Sequence, residues 1–155
     1  MIKILITLLF ALSLKAATYD VNYRGMTLGE ITDLSTIDSL YLKAKVTSRV
    51  ARFLLGKDNL VYYGGEKPDI QKSKFKKDRK MMLYAFALSL KERPVFKKVK
   101  INDAKNITLA CEGKACEFIY YKNDKVNGKG KILFDEQDDF VSITEEMSNF
   151  KIERQ

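Results

Sequence analysis

Residues Leu40 to Thr47 read LYLKAKVT. Leu40, Leu42, Ala44 and Val46 fall on one face of an extended chain; Tyr41, Lys43, Lys45 and Thr47 fall on the other. Successive strand side chains point to opposite faces, so this stretch is a strand with one buried and one wetted face. Upstream, Tyr19, Val21 and Tyr23 alternate with Asp20, Asn22 and Arg24 in the same way. The parity shifts after Gly25, to Met26 and Leu28, and again after Gly29, to Ile31. Glycine inside a strand pattern marks a bulge or sharp bend, and bends of this kind curl a sheet over a core or a cavity.

Downstream the period changes. Val50, Phe53 and Leu54 lie at helical spacing, with Ser48 as a cap and Gly56 as a stop. Leu60 to Tyr63 form a short strand ended by Gly64 and Gly65. The run MMLYAFALSL at 81–90 contains no β-branched residue and predicts a helix from Arg79 to Glu92, stopped by Arg93–Pro94. A strand is the alternative reading of so short an apolar run. Strands return at 95–101, 106–112, 115–122, 130–135, 139–144 and 149–154, with Asn123–Asp124 and Asn127–Gly128 as turn signals. The expected architecture is mainly β (α+β): a curved antiparallel sheet or barrel of seven to nine strands with one or two short helices.

The chain has 155 residues, 46% of them apolar, and a formal net charge of +8. That is the composition of a folded chain of one domain. It has no histidine and two cysteines. A histidine triad, a cysteine–histidine dyad and the usual zinc sites are thereby excluded. Residues 1–16 read as a signal peptide, with Lys3 before the apolar stretch Ile4–Leu14 and small residues at Ser13, Ala16 and Ala17. A cut near Ala16–Ala17 is expected, one after Ser13 being the alternative, and it leaves a single β-rich domain over 17–155. The stretch is shorter than the roughly 20 apolar residues of a membrane span. The expected location is the bacterial periplasm or the exterior, with no transmembrane segment in the mature chain.

Cys111 and Cys116 flank Glu-Gly-Lys-Ala. With Gly113–Lys114 as a two-residue type II′ turn, Glu112 faces Ala115 and Cys111 faces Cys116 at a non-hydrogen-bonded position, where a disulfide fits. Catalytic pairs have two intervening residues at a helix start, so this pair reads as structural. The segment 67–80 concentrates Lys72, Lys74, Lys76, Lys77, Arg79 and Lys80. It is either a solvated loop or a site for an anionic head group. Aromatic residues, among them Tyr19, Tyr23, Phe53, Tyr63, Phe86 and Tyr120, are candidates for lining an apolar pocket or simply core. Asp135, Glu136, Asp138 and Asp139 lack the glycine-bearing calcium loop and read as a turn. The sequon Asn106-Ile107-Thr108 falls in a strand and reads as chance. No nucleophile–base pair is visible; no catalytic residue, metal or cofactor is expected.

The opening Tyr19-Asp-Val-Asn-Tyr-Arg-Gly-Met-Thr-Leu-Gly29 resembles that of a family of small exported Gram-negative proteins catalogued as a domain of unknown function, Tyr-x-Val-x-Tyr-x-Gly-x-x-x-Gly. The later order of elements is similar too, down to Phe134–Asp135 and Phe150. The resemblance implies a lipocalin-like curved β-sheet and brings no catalytic residues with it. The expected function is a non-catalytic periplasmic carrier for a small apolar or lipid-like ligand. The alternative is an envelope module with a solid core that binds a protein or the surface glycolipid. Nucleic acid is not an expected partner.

Overall fold

The computed structural model describes residues 17–35, 40–55, 59–64, 82, 85–86, 88–90 and 92–155. Residues 1–16, read above as a signal peptide, lie outside them. The strands are β1 (Tyr19–Tyr23), β2 (Met26–Ser35), β3 (Leu40–Val46), β4 (Asn59–Gly64), β5 (Lys97–Asn102), β6 (Lys105–Glu112), β7 (Ala115–Lys122), β8 (Lys125–Phe134), β9 (Phe140–Glu145) and β10 (Phe150–Arg154). A short helix, α1 (Arg49–Leu55), follows β3. All ten strands join one antiparallel sheet in the order β4-β3-β2-β1-β10-β9-β8-β7-β6-β5. The architecture is mainly β, a curved antiparallel sheet with a few short helices. Among the described residues its edges are β4 and β5, which are not paired with each other.

The glycine-linked parity shifts separate two different events. Arg24 and Gly25 both have positive φ and form the two-residue tip of the β1–β2 hairpin, with Tyr23 opposite Met26. Gly29 lies beside a true bulge, where Leu28 is the extra residue between the pairs Val21–Gly29 and Asn22–Thr27. A second bulge follows at Thr32, between Ile31–Ala44 and Asp33–Lys43. In β3 the expected alternation holds for the described side chains: Ala44 and Val46 are buried, Lys45 and Thr47 exposed.

One turn signal is corrected. Asn123–Asp124 makes the β7–β8 hairpin, both residues at positive φ. Asn127–Gly128 lies inside β8, where Asn127 is the extra residue of a bulge and the strand begins at Lys125, ahead of the expected 130. A two-residue turn was already available four residues earlier, and one hairpin needs only one tip.

Met82, Ala85, Phe86 and Leu88–Leu90, the described residues of the apolar run, are helical. The Glu92 N–H closes its last turn on Leu88 O at 2.9 Å, and Pro94 stands just beyond. Met82, Ala85, Phe86 and Leu88 join one core cluster with inward residues of β1, β2, β3 and β6 to β10. The ring centroids of Phe86 and Phe140 are 4.2 Å apart. The helix therefore occupies the inner face of the curved sheet.

Because every neighbour is antiparallel, connections alternate between two ends of the sheet. The upper end carries Arg24–Gly25, the β3–α1 junction, Asp103–Ala104, Asn123–Asp124 and Glu146–Asn149. The lower end carries Gly113–Lys114, Asp135–Asp139 and residues 92–96. No helix among the described residues is long and apolar enough to cross a membrane.

Candidate functional site

Three places bear on function: the inner face, the lower end and the upper rim. On the inner face, Tyr19, Phe86 and Tyr120 are buried and Tyr23 is half-buried. The Tyr19 hydroxyl donates to Phe140 O at 3.3 Å, and its ring lies 5.2 Å from that of Phe140. Burial pushes the Tyr19 phenol up from its ordinary pKa, against the opposing pull of nearby Arg154. Tyr120 packs beside Gly128, its cross-strand partner. Of the helical residues between 82 and 90, each whose burial is described is buried or half-buried, and Ala85, Phe86 and Ser89 are fully so. The Ser89 hydroxyl, which has no water to reach, donates to Phe86 O at 2.7 Å.

Of the other two pocket candidates, one sits elsewhere and one is placed by its backbone alone. Phe53 lies on α1 with 87% of its surface exposed. The residue that α1 buries is Ala51, whose N–H bonds to the capping Ser48 Oγ at 3.3 Å. Tyr63 belongs to β4, where its backbone is in register with Tyr41. Lys72, Lys74, Lys76, Lys77, Arg79 and Lys80 lie outside the described residues. Sequence reasoning thus gathered six aromatic residues into one lining, and the fold brings Tyr19, Tyr23, Phe86 and Tyr120 to one side of the sheet.

The lower end is stapled and electrically matched. Cys111 and Cys116 face each other in the β6–β7 ladder with their sulfurs 2.02 Å apart and Cα atoms 4.0 Å apart. Gly113 supplies the positive φ at the first turn position. The Cys111 N–H points away from its partner and bonds Pro94 O at 2.8 Å, as a non-hydrogen-bonded pair requires. Asp138 accepts from Arg93 at 2.7 Å and Lys114 at 2.5 Å. Asp135 accepts from Arg154 at 2.6 Å and from the N–H groups of Gln137 and Asp139. Hydrogen bonding from Arg154 holds the Asp135 carboxyl below its ordinary pKa; bonding from Lys114, then Arg93, does the same for Asp138. The acidic run is thus a self-bonded turn, and no three potential metal ligands cluster among the described residues.

The upper rim is what sequence reasoning missed. Exposed Met26, Val50, Phe53, Ile101, Val126 and Met147 all stand there. Lys105, Lys122 and Lys125 stand opposite one another on β6, β7 and β8. Neighbouring connections are tied by Arg24 N–H to Asn149 O at 2.9 Å and Asn123 N–H to Ala104 O at 2.7 Å. The signals were in the sequence as isolated apolar residues beside turns, but only the antiparallel topology gathers them at one end. Against this geometry, no protein-family model, no curated protein and no solved structure matches the chain.

Proposed function

We propose that this protein is a non-catalytic binding module of the bacterial envelope that works through its outer surface. The observation that carries the reading is the occupied inner face. A carrier keeps apolar wall free for its ligand. Here the helical residues Ala85 and Phe86 pack against that wall, with the Phe86 ring on Phe140. The leader-like residues 1–16 support placement in the envelope, and the disulfide is in keeping with an oxidising compartment.

Native mass spectrometry of the exported chain, followed by denaturing extraction, tests this. The expected result is a bare chain, two hydrogens lighter than the reduced form. A stoichiometric apolar molecule released on denaturation overturns the reading in favour of an enclosed-ligand carrier.

A further inference from the structure

We propose that the upper rim docks the protein on an anionic phospholipid bilayer. The proposal rests on the surface-binding reading and names its partner. Nine large apolar side chains are exposed among the described residues, and six of them stand at this end. Each upper connection carries at least one: Val50 and Phe53 on α1, Met26 after Arg24–Gly25, Met147 in the β9–β10 turn, Val126 after Asn123–Asp124, and Ile101 before Asp103–Ala104. Single exposed apolar residues are ordinary on any protein surface. Among the described residues this end carries six, against three at the other, Val95, Phe96 and Leu133.

The charges distinguish the two ends in the same way. At the lower end Arg93, Lys114 and Arg154 are held by Asp138 and Asp135. At the upper end Lys105, Lys122 and Lys125 form no ion pair among the described residues. Like charges directly opposite on neighbouring strands repel, so a row of three costs stability unless something outside neutralises it. Arg24 and Arg49 add positive charge at the β1–β2 tip and on α1. Carboxylates stand there too. Asp103 is engaged by Lys100 at 2.8 Å and Glu146 by Lys129 at 3.1 Å, while Asp124 sits between Lys122 and Lys125.

An anionic bilayer answers both features at once. Lipid phosphates neutralise the ammonium row, and the boundary between head groups and acyl chains accepts separate apolar tips. Protein partners are bound differently, through a clustered apolar centre enclosed by a polar rim. Here the apolar residues are distributed one or two per connection.

The test is cosedimentation of the exported chain with vesicles of phosphatidylglycerol in phosphatidylethanolamine, and separately with phosphatidylcholine vesicles. Binding to the first and not the second is expected, weakening as salt shortens the screening length. Replacing Lys105, Lys122 and Lys125 together with Gln lowers affinity by about fivefold per lysine, roughly a hundredfold in all, and flattens the salt dependence. Phe53→Ser with Met147→Ser weakens binding at every salt concentration. Val95→Ser with Phe96→Ser, at the lower end, leaves binding unchanged. Apart from half-buried Lys105 these side chains are exposed, and a thermal melt of each variant confirms its fold. Every chain compared begins at the same residue, so differences report on the rim. Equal binding to both vesicle types, no binding to either, or equal loss in the lower-end variant overturns the proposal. Failure to bind vesicles by a chain that is bare in native mass spectrometry leaves the surface-binding reading standing. An enclosed apolar ligand removes that reading itself.

Discussion

Gly130 stands opposite Phe118 in the β7–β8 ladder, and Gly128 stands opposite Tyr120. A Cβ at Gly130 would lie 1.9 Å from Thr144 O and 2.7 Å from Phe118 Cζ. The missing side chain is therefore what lets an aromatic ring lie over the backbone of the next strand. Neither the backbone oxygen nor the buried ring can yield cheaply, so Gly130→Ala costs about 3 kcal/mol. For a chain of this size the melting temperature falls by roughly 9 °C, which calorimetry reads directly. A wild-type melting curve would show that the sheet absorbs the methyl and the contact is not limiting. Asp135 gives a prediction of a different kind. Its folded pKa is lowered, first by Arg154, so its contribution is complete above the unfolded carboxyl value and is lost as pH falls through the folded one. Asp135→Asn is expected to melt below wild type at neutral pH, and the two curves converge below about pH 4. A difference that persists unchanged into acid would exclude the ion pair as its source.

The elements most legible in the sequence are those whose cause is local. The β6–β7 hairpin follows from Gly113 at the first position of a two-residue turn, and the register of Cys111 with Cys116 follows from that turn. Closing so short a loop stabilises by about 2 kcal/mol on the chain-entropy account. Cys111→Ser with Cys116→Ser is expected to lower the denaturation free energy by that amount while keeping the fold, as read by urea titration. Complete unfolding would show that the bridge holds more than its own hairpin. The helical state of Met82, Ala85, Phe86 and Leu88–Leu90 was legible from residue type: a run with no β-branched side chains, and a proline just past its end. The face of α1 was not. Val50, Phe53 and Leu54 showed helical spacing and Phe53 was a lining candidate, but the fold buries Ala51 and leaves Val50 and Phe53 outside. Seven residues give too few turns for a periodicity to choose a face, and the β3–α1 junction decides it. Asn127–Gly128 failed for a related reason: an Asn-Gly pair signals a tight turn, but neither residue has positive φ here, and Asn127 is instead the extra residue of a bulge.

At the scale of the whole molecule, the sheet's curvature and antiparallel character were foreseeable from alternation, glycines and closely spaced turns. Which connections share an end was not, because that depends on the order of the strands, and local patterns do not encode strand order. The inner-face candidates Tyr19, Tyr23, Phe86 and Tyr120 were visible as aromatic residues in apolar patterns. Their occupation by a helix was invisible until the chain crossed from one sheet edge, β4, to the other, β5. The same crossing decides between enclosing a ligand and presenting a rim, and the mass spectrometry and vesicle measurements separate those outcomes.

The strand order also fixes when the protein is able to fold. β1 pairs on one side with β2 and on the other with β10, with Tyr19 opposite Arg154 and Tyr23 opposite Phe150. The Gln155 N–H bonds Thr18 O at 2.9 Å, and its side chain reaches Asp20 at 2.7 Å across a separation of 135 residues. During synthesis, then, the amino-terminal hairpin waits with one bare edge until residues 150–154 emerge from the ribosome. Contacts that distant form late and slowly. The sheet therefore stays open along β1 until the two ends of the chain are both present to meet.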